Sequence, residues 1–334
     1  MSRPNPAPPR IVVAAPFDPA AVGALAGRAE IVFAPPVREP IALAAGPHAP
    51  LLAEAAALVT ELDLVDQSSL AAAPKLELLV VCRSDPKTAD LAAARRRGIA
   101  VKTTPGRNAA ATADLTLALI LAVARQVGAS ERWLRAGSWR PEAQHWPYHH
   151  FQGLTLEGAV AGVVGYGQVG RKVARRLTGF GARVLVAAPR LAAEALDPGL
   201  TLVPLDDLLA RSQVVTLHAP ARADTAGMIG TRELARLPAG AVLVNTARAA
   251  LVEEPALRAA LDSGRLAGAG LDVFWQEPVP PDHWVLTHPA VAITPHIGGA
   301  SPQVVRRQSE LAAAHLADWL NRRDHFGKDE GETL

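Results

Sequence analysis

Short apolar runs alternate with longer stretches of helix-forming residues along this chain. Ile11–Phe17 (IVVAAPF) is a β-rich run closed by a proline, the pattern of a buried strand followed by a turn. Leu76–Arg83 (LELLVVCR) repeats it, and Gly98–Gly106 (GIAVKTTPG) is a third strand-like piece. The alanine- and leucine-rich stretches between them read as helices, and strand–helix alternation implies a parallel α/β layer. Asn108–Arg125 changes the pattern. Its apolar residues lie almost all round a long helix, which suits a core position and also packing between domains or subunits. Gly137–His150 follows as an irregular polar connection. A second strand series begins at Gly158–Gly167. It continues through Ala182–Ala188, Val214–Ala219, Ala241–Ala247, Gly268–Phe274 and Val291–His296, at spacings that predict a doubly wound sheet. Ser301–Arg323 is an amphipathic helix long enough to return to the first α/β unit. The first ten residues and His325–Leu334 read as loose tails.

Composition narrows the class of protein. A length of 334 residues suggests about two domains, and 49% hydrophobic residues supply material for two cores. The 34 basic and 32 acidic residues leave a net charge of +2, which argues against a surface built to grip nucleic-acid phosphates. Cys82 is the single cysteine, so no intrachain disulfide is expected, in keeping with a reducing cytoplasm. The N-terminal stretch lacks signal-peptide form. No run approaches the roughly 20 apolar residues that a membrane helix needs. The expectation is a cytoplasmic protein without nucleic-acid or membrane partners.

The sharpest local signal is Gly165-Tyr166-Gly167-Gln168-Val169-Gly170. It follows the apolar AVAGVV and opens the helical RKVARRLTGFG, the strand–turn–helix context in which G-x-G-x-x-G binds a dinucleotide. Gly165 permits the tight turn, Gly167 lets a pyrophosphate approach the backbone, and Gly170 lets helix and strand pack closely. Gln168 and Val169 open the helix whose N-terminus meets the phosphates. The next strand should end in Asp or Glu if the adenosine ribose of NAD is to be held. This chain has Ala187-Ala188-Pro189-Arg190 there instead. Without an acid, a 2′-phosphate meets no repulsion, and Arg190 can pair with it. The reading is therefore NAD or NADP with a lean to NADP, the alternative for Arg190 being a solvated surface arginine.

Four segments in order then carry a resemblance: GVVGYGQVGRKVARRL, LVNTARAALVEEPALRAAL, GAGLDVFWQEP and ITPHIGG. They resemble the consecutive signatures of the D-isomer-specific 2-hydroxyacid dehydrogenases, a group that includes 3-phosphoglycerate dehydrogenase and the hydroxypyruvate/glyoxylate reductases. The resemblance runs from about Leu76 to His296 and on into the last helix. It implies an α/β fold of two doubly wound parallel-sheet domains, a Rossmann cofactor domain (108–298) inserted into a flavodoxin-like substrate domain (1–107 and 299–334). It also implies hydride exchange between a nicotinamide cofactor and a small D-2-hydroxy or 2-keto acid.

That chemistry needs a cation for the substrate carboxylate, a proton donor for its carbonyl oxygen, and a partner for the donor. Arg248 in NTAR supplies a guanidinium that grips a carboxylate in a fork, and by resemblance it stands at the family's substrate-binding arginine. His296 in TPHIGG is the expected acid/base, since imidazole gives and takes protons near neutrality. Glu277 in QEP stands at the family's dyad glutamate, where a carboxylate stabilises positive charge on the ring. Asp272 in GLDVF matches the residue that contacts the nicotinamide carboxamide, with a buried loop cap as the alternative. His218 in LHAP matches a position near the cofactor, or is a core histidine. Thr246 and Ala247 are expected to line the same cleft through their backbone.

Departures from the family also matter. In Arg83-Ser84-Asp85-Pro86-Lys87, side chains replace the glycine-rich loop whose amides would meet the substrate carboxylate. Asp85 would repel that carboxylate, so it points away or marks an unusual substrate. Arg83 and Lys87 suit a second anionic or polyhydroxy end, or the segment is a solvated loop. His145, His149 and His150 lack a completing ligand set, so no metal site is expected. The Asn108 helix resembles the family's dimer-forming element, so a homodimer is expected. The rival reading from another class is a nucleotide-sensing corepressor of the same fold.

Overall fold

The computed structural model describes residues 7–329. In chain order, strands β1 (Arg10–Val13), β2 (Glu30–Phe33) and β3 (Ala55–Thr60) come first. Helix α1 (Gln67–Ala72), β4 (Leu78–Val81), α2 (Leu91–Arg96) and β5 (Ala100–Thr103) complete the first series. Then come α3 (Ala109–Ala124), α4 (Val127–Arg135) and α5 (Trp146–His150), followed by β6 (Val160–Val164), α6 (Gln168–Gly179), β7 (Arg183–Ala187) and β8 (Thr201–Leu202). The second series ends with α7 (Leu205–Arg211), β9 (Val214–Leu217), α8 (Thr231–Arg236), β10 (Ala241–Asn245), α9 (Glu254–Asp262), β11 (Leu266–Leu271) and β12 (Val291–Ile293). Helix α10 (Pro302–Asp329) closes the chain. Two compact units result. One joins the residues up to Arg107 with those from Ser301 onward, and the other is Asn108–Ala300.

The first unit holds a five-stranded sheet in the order β2-β1-β3-β4-β5, all parallel. This is the flavodoxin-like order. Side chains alternate between its faces, as a two-residue period requires. Ile11, Val13, Leu78 and Val80 pack on one face with Leu316, Trp319 and Leu320 of α10. Val12, Leu79 and Val81 pack on the other with Leu43, Leu52 and Leu70. The second unit holds a seven-stranded sheet, β12-β11-β10-β9-β6-β7-β8, also parallel throughout. Counted from β6 this is the 3-2-1-4-5-6 order of dinucleotide-binding folds with one strand added. The chain reverses direction across the sheet between β6 and β9, the switch point where such sheets bind ligands.

Several local expectations need correction. Ala55–Thr60 (AAALVT) reads as helix by alanine content, yet it is the central strand β3, buried at every residue. Burial on both sheet faces overrides a weak helix propensity. β2 and β8 are further strands, short and partly exposed at the sheet edges; β2 carries only the brief apolar run Ile31–Phe33, and β8 is two residues long. Arg10 is not tail but the first residue of β1, with its guanidinium on Glu30 at 3.0 Å. Gly137–His150 is not wholly irregular: it carries a 3₁₀ turn at Pro141–Ala143 and the helix α5, each with proline in its first turn. The last helix runs on to Asp329, past the expected end at Arg323. The remainder of the expected tails, residues 1–6 and 330–334, lies outside the described residues.

Helix α3 is a core element. Nine of its residues, Ile120 and Leu119 among them, are buried against β10, β11, β12 and α6. Gln126, in a left-handed conformation (φ 52°), then turns the chain by 60° into α4. The exposed apolar surface lies beyond that bend instead. Trp133 and His150 stack on Trp146, Phe151 meets all three edge-on, and Trp139 and Tyr148 are exposed in the same segment. No single helix among the described residues is long and apolar enough to cross a membrane.

Candidate active site

Every candidate residue of the second unit lies beyond the carboxyl end of a strand of the seven-stranded sheet. The glycine turn follows β6, Arg190 follows β7, His218 follows β9, and Thr246 to Arg248 follow β10. Asp272 and Glu277 follow β11, and His296 follows β12. A parallel sheet sends all these loops to one edge, so residues far apart in sequence share one rim.

The glycine turn is built as its motif demands. Gly165 has φ +92°, and a Cβ there would sit 2.6 Å from the Ala219 nitrogen. A Cβ on Gly170 would strike the Gly165 carbonyl oxygen at 2.1 Å. Gly167 differs: a Cβ there would meet no protein atom within 4 Å. The fold itself does not demand glycine at 167, whereas close approach of a pyrophosphate to the backbone does. Gln168 and Val169 begin α6, whose N-terminus carries no side-chain cap. Its N–H groups and dipole thus remain available to an anion. These residues fit a dinucleotide.

Beside the turn lies an open cavity of about 900 Å³. Ala187, Ala188, Leu202, Val203 and Met228 give it apolar walls suited to a purine. Arg190 also lines it, but not alone. Asp224, from the loop after β9, accepts a hydrogen bond from its guanidinium at 2.7 Å. No local signal marks this acid, because nothing in the sequence links the loop after β9 to the end of β7. His218 stands at the end of β9 with its imidazole 2.9 Å from the Thr216 hydroxyl. Desolvation by burial pushes that ring down to about 3, so it is neutral. Its neighbour Ala219, not His218 itself, borders the cavity.

At the other end of the rim, His296 and Glu277 meet. The ring Nδ1 lies 2.7 Å from Glu277 Oε2, and the Phe274 N–H donates to Oε1 at 3.0 Å. The carboxylate therefore orients the ring from one side and leaves Nε2 without a protein partner among the described residues. His296 has φ +54°, a conformation a non-glycine residue holds only when its surroundings impose it. Asp272 imposes it. This buried carboxylate accepts from the Thr294 hydroxyl at 2.6 Å, the Ile297 N–H at 2.8 Å and the Gly298 N–H at 2.9 Å. It thus brackets His296 on both sides in sequence. The loop-cap reading of Asp272 describes the contacts present.

Arg248 is exposed, and its own turn is held by Asn245, which the sequence reading passed over. The Asn245 amide donates to the Arg248 carbonyl at 2.8 Å and its oxygen accepts from the Ala247 N–H at 3.0 Å. A buried asparagine ending an apolar strand was the available signal. Thr246 turns its hydroxyl inward to Thr116 at 2.7 Å, and Thr112 donates to the Gly298 carbonyl at 3.0 Å. Two hydroxyls spaced i, i+4 on apolar α3 thereby tie the Arg248 and His296 loops to one helix.

In the first unit, Arg83, Ser84 and Asp85 follow β4. Arg83 Nε donates to the Glu61 carbonyl at 3.1 Å, Ser84 is exposed, and Asp85 lies 3.6 Å from Lys87. The Asp85 charge is thus balanced within its own loop. His145, His149 and His150 lie in or beside α5, where His150 stacks on Trp146 at 3.9 Å. Among the described residues, no group of three His, Cys, Asp or Glu could hold a metal ion.

Known proteins share this organisation. A family model described as D-isomer specific 2-hydroxyacid dehydrogenase, NAD binding domain, matches residues 117–298. The glyoxylate reductase of Korarchaeum cryptofilum is 40% identical over 255 residues, 76% of this chain and 76% of that protein. The D-3-phosphoglycerate dehydrogenase of Mycobacterium tuberculosis is 36% identical over 301 residues, which cover 90% of this chain but 54% of that protein. A crystal structure of a glyoxylate reductase from Paecilomyes thermophila matches with a TM-score of 0.75 at 27% identity, over 95% of this chain and 96% of that one. The family model covers more than half of the chain and the first of these relatives is 40% identical, so the chain belongs to the D-isomer specific 2-hydroxyacid dehydrogenase family.

Proposed function

We propose that this protein reduces a small 2-keto acid to the D-2-hydroxy acid, or runs the reverse oxidation, with a nicotinamide cofactor. The observation that carries the reading is the His296–Glu277 pair at 2.7 Å, on a rim that also carries the dinucleotide turn. The bound cofactor supplies or accepts the hydride at C2. Arg248 holds the substrate carboxylate in a guanidinium fork. His296 gives its Nε2 proton to the carbonyl oxygen during reduction and takes it back during oxidation. Glu277 fixes the ring through Nδ1 and stabilises its positive charge, and Asp272 holds the loop that aims it. Asn108–Gly298 is the cofactor domain, while the remainder, with Arg83, Ser84 and Asp85, is the substrate domain. Thr246, Ala247 and His218 shape the cofactor side of the site. Arg190 remains the group available to a 2′-phosphate, which supports NADP, and its Asp224 partner supports NAD.

Relatives named glyoxylate reductase support glyoxylate as the first substrate to try, and hydroxypyruvate follows from the resemblance in the sequence. We place the protein in the cytoplasm and assign it a homodimeric state, with the exposed aromatic face around Trp133, Trp139 and Trp146 as the self-contact rather than buried α3. The test is initial rates of NADH and NADPH oxidation with glyoxylate, hydroxypyruvate and a panel of sugar-derived 2-keto acids, beside His296→Ala. Turnover that the variant abolishes supports the reading. Tight cofactor binding with no turnover on any substrate would favour a nucleotide-sensing protein of the same fold.

A further inference from the structure

We infer that Asp224 sets the balance between NADH and NADPH by competing with the cofactor for Arg190. The inference rests on the nicotinamide reading above and deepens it. Among the described residues, Arg190 and Asp224 are the charged side chains that line the cavity of about 900 Å³ beside the glycine turn. They are joined to each other at 2.7 Å. The strands that present them, β7 and β9, flank β6 on its two sides, and the pair lines the same cavity as Gly165 and Tyr166 of the turn that follows β6. The usual ribose-reading position at the end of β7 holds no carboxylate, only Ala187, Ala188 and Pro189 before Arg190.

Two opposed readers therefore share one subsite. A carboxylate accepts hydrogen bonds from the hydroxyls of an unphosphorylated ribose, and a guanidinium grips a 2′-phosphate in a fork. Each is occupied by the other until a cofactor parts them. Both side chains are largely exposed, at 70% and 55%, and ion pairs in water are weak, so the pair yields to either ligand. A phosphate monoester carries a charge of about −2 near neutrality. Asp224 both occupies its binding partner and repels it. Asp224 thus supplies, from a different strand, the acid that β7 lacks.

The experiment is a fluorescence titration of the full chain with NADH and with NADPH, for the wild type, Asp224→Asn and Arg190→Gln, with melting temperatures as the control for folding. Expected is a rise of about tenfold in Kd(NADH)/Kd(NADPH) for Asp224→Asn and a fall of about tenfold for Arg190→Gln. A ratio that stays within about twofold of wild type in Asp224→Asn, with both cofactors still bound, overturns the role of Asp224. Wild-type protein that binds neither cofactor overturns the nicotinamide reading itself, and this inference with it.

Discussion

His296 is placed by two carboxylates with separate duties. Glu277 touches the ring, and Asp272 accepts from the Thr294 hydroxyl before it and from the Ile297 and Gly298 N–H groups after it. On the proposed reading, the imidazole is the proton donor and acceptor. His296→Ala should lower kcat/KM by about 10²- to 10⁴-fold while leaving the Kd for NADH near wild type, measured by initial rates and fluorescence titration. Asp272→Asn is a different lesion. One acceptor becomes an amide that faces an N–H or hydroxyl donor, inside the fold. It should cost about 1–3 kcal/mol of stability and lower kcat together with Tm. A kcat unchanged beside a lowered Tm would leave Asp272 with no part in aiming His296.

Elements show why particular residue types recur at their ends. Helix α1 begins at Asp66, whose carboxylate accepts from the Ser69 N–H at 2.8 Å and from the hydroxyls of Ser69 and Ser68, each at 2.7 Å. These bonds, the Ser69 amide first, hold the carboxyl below its ordinary value of 3.8. A carboxyl depressed in the folded state favours folding above its unfolded value. That contribution is lost as pH falls through the folded one, below about 4. Asp66→Ala should therefore cost about 1 kcal/mol at neutral pH and progressively less in acid, read from denaturant melts across pH. Helix α3 makes a similar point at a larger span. Thr116→Val would bury the Thr246 hydroxyl without its partner and should cost about 1–2 kcal/mol by the same measurement.

At the scale of the molecule, each unit offers a test of its own. Cys82 is fully buried in the core of the first, and burial pushes its thiol up to about 12. It should resist alkylation in the native protein at pH 8 and react once the first unit opens. A cofactor bound by the second unit should raise that unit's stability by about 2.7 kcal/mol at one hundred times its Kd. Differential scanning calorimetry with thiol labelling would separate the two events. Prompt alkylation of the native protein would mean that the first unit opens under native conditions.

The strand series of the second unit, the glycine turn and the meeting of His296 with Glu277 were legible in one dimension. Their signals are local: a short apolar run, a glycine spacing, a reactive residue in a short motif. The alanine-rich strand β3 was not legible, because its conformation follows from burial between two layers and not from its own propensities. Nor were the three hydrogen bonds of Asp272, the threonine pair of α3 or the meeting of Arg190 with Asp224. Each joins loops or helices far apart in the chain, and such contacts exist only once parallel strands have brought their carboxyl ends to one rim. The sequence by itself determined the fold class and the kind of chemistry. The tertiary structure alone decided which acid faces Arg190, because that contact joins the loops after β7 and β9, which meet only in the folded sheet.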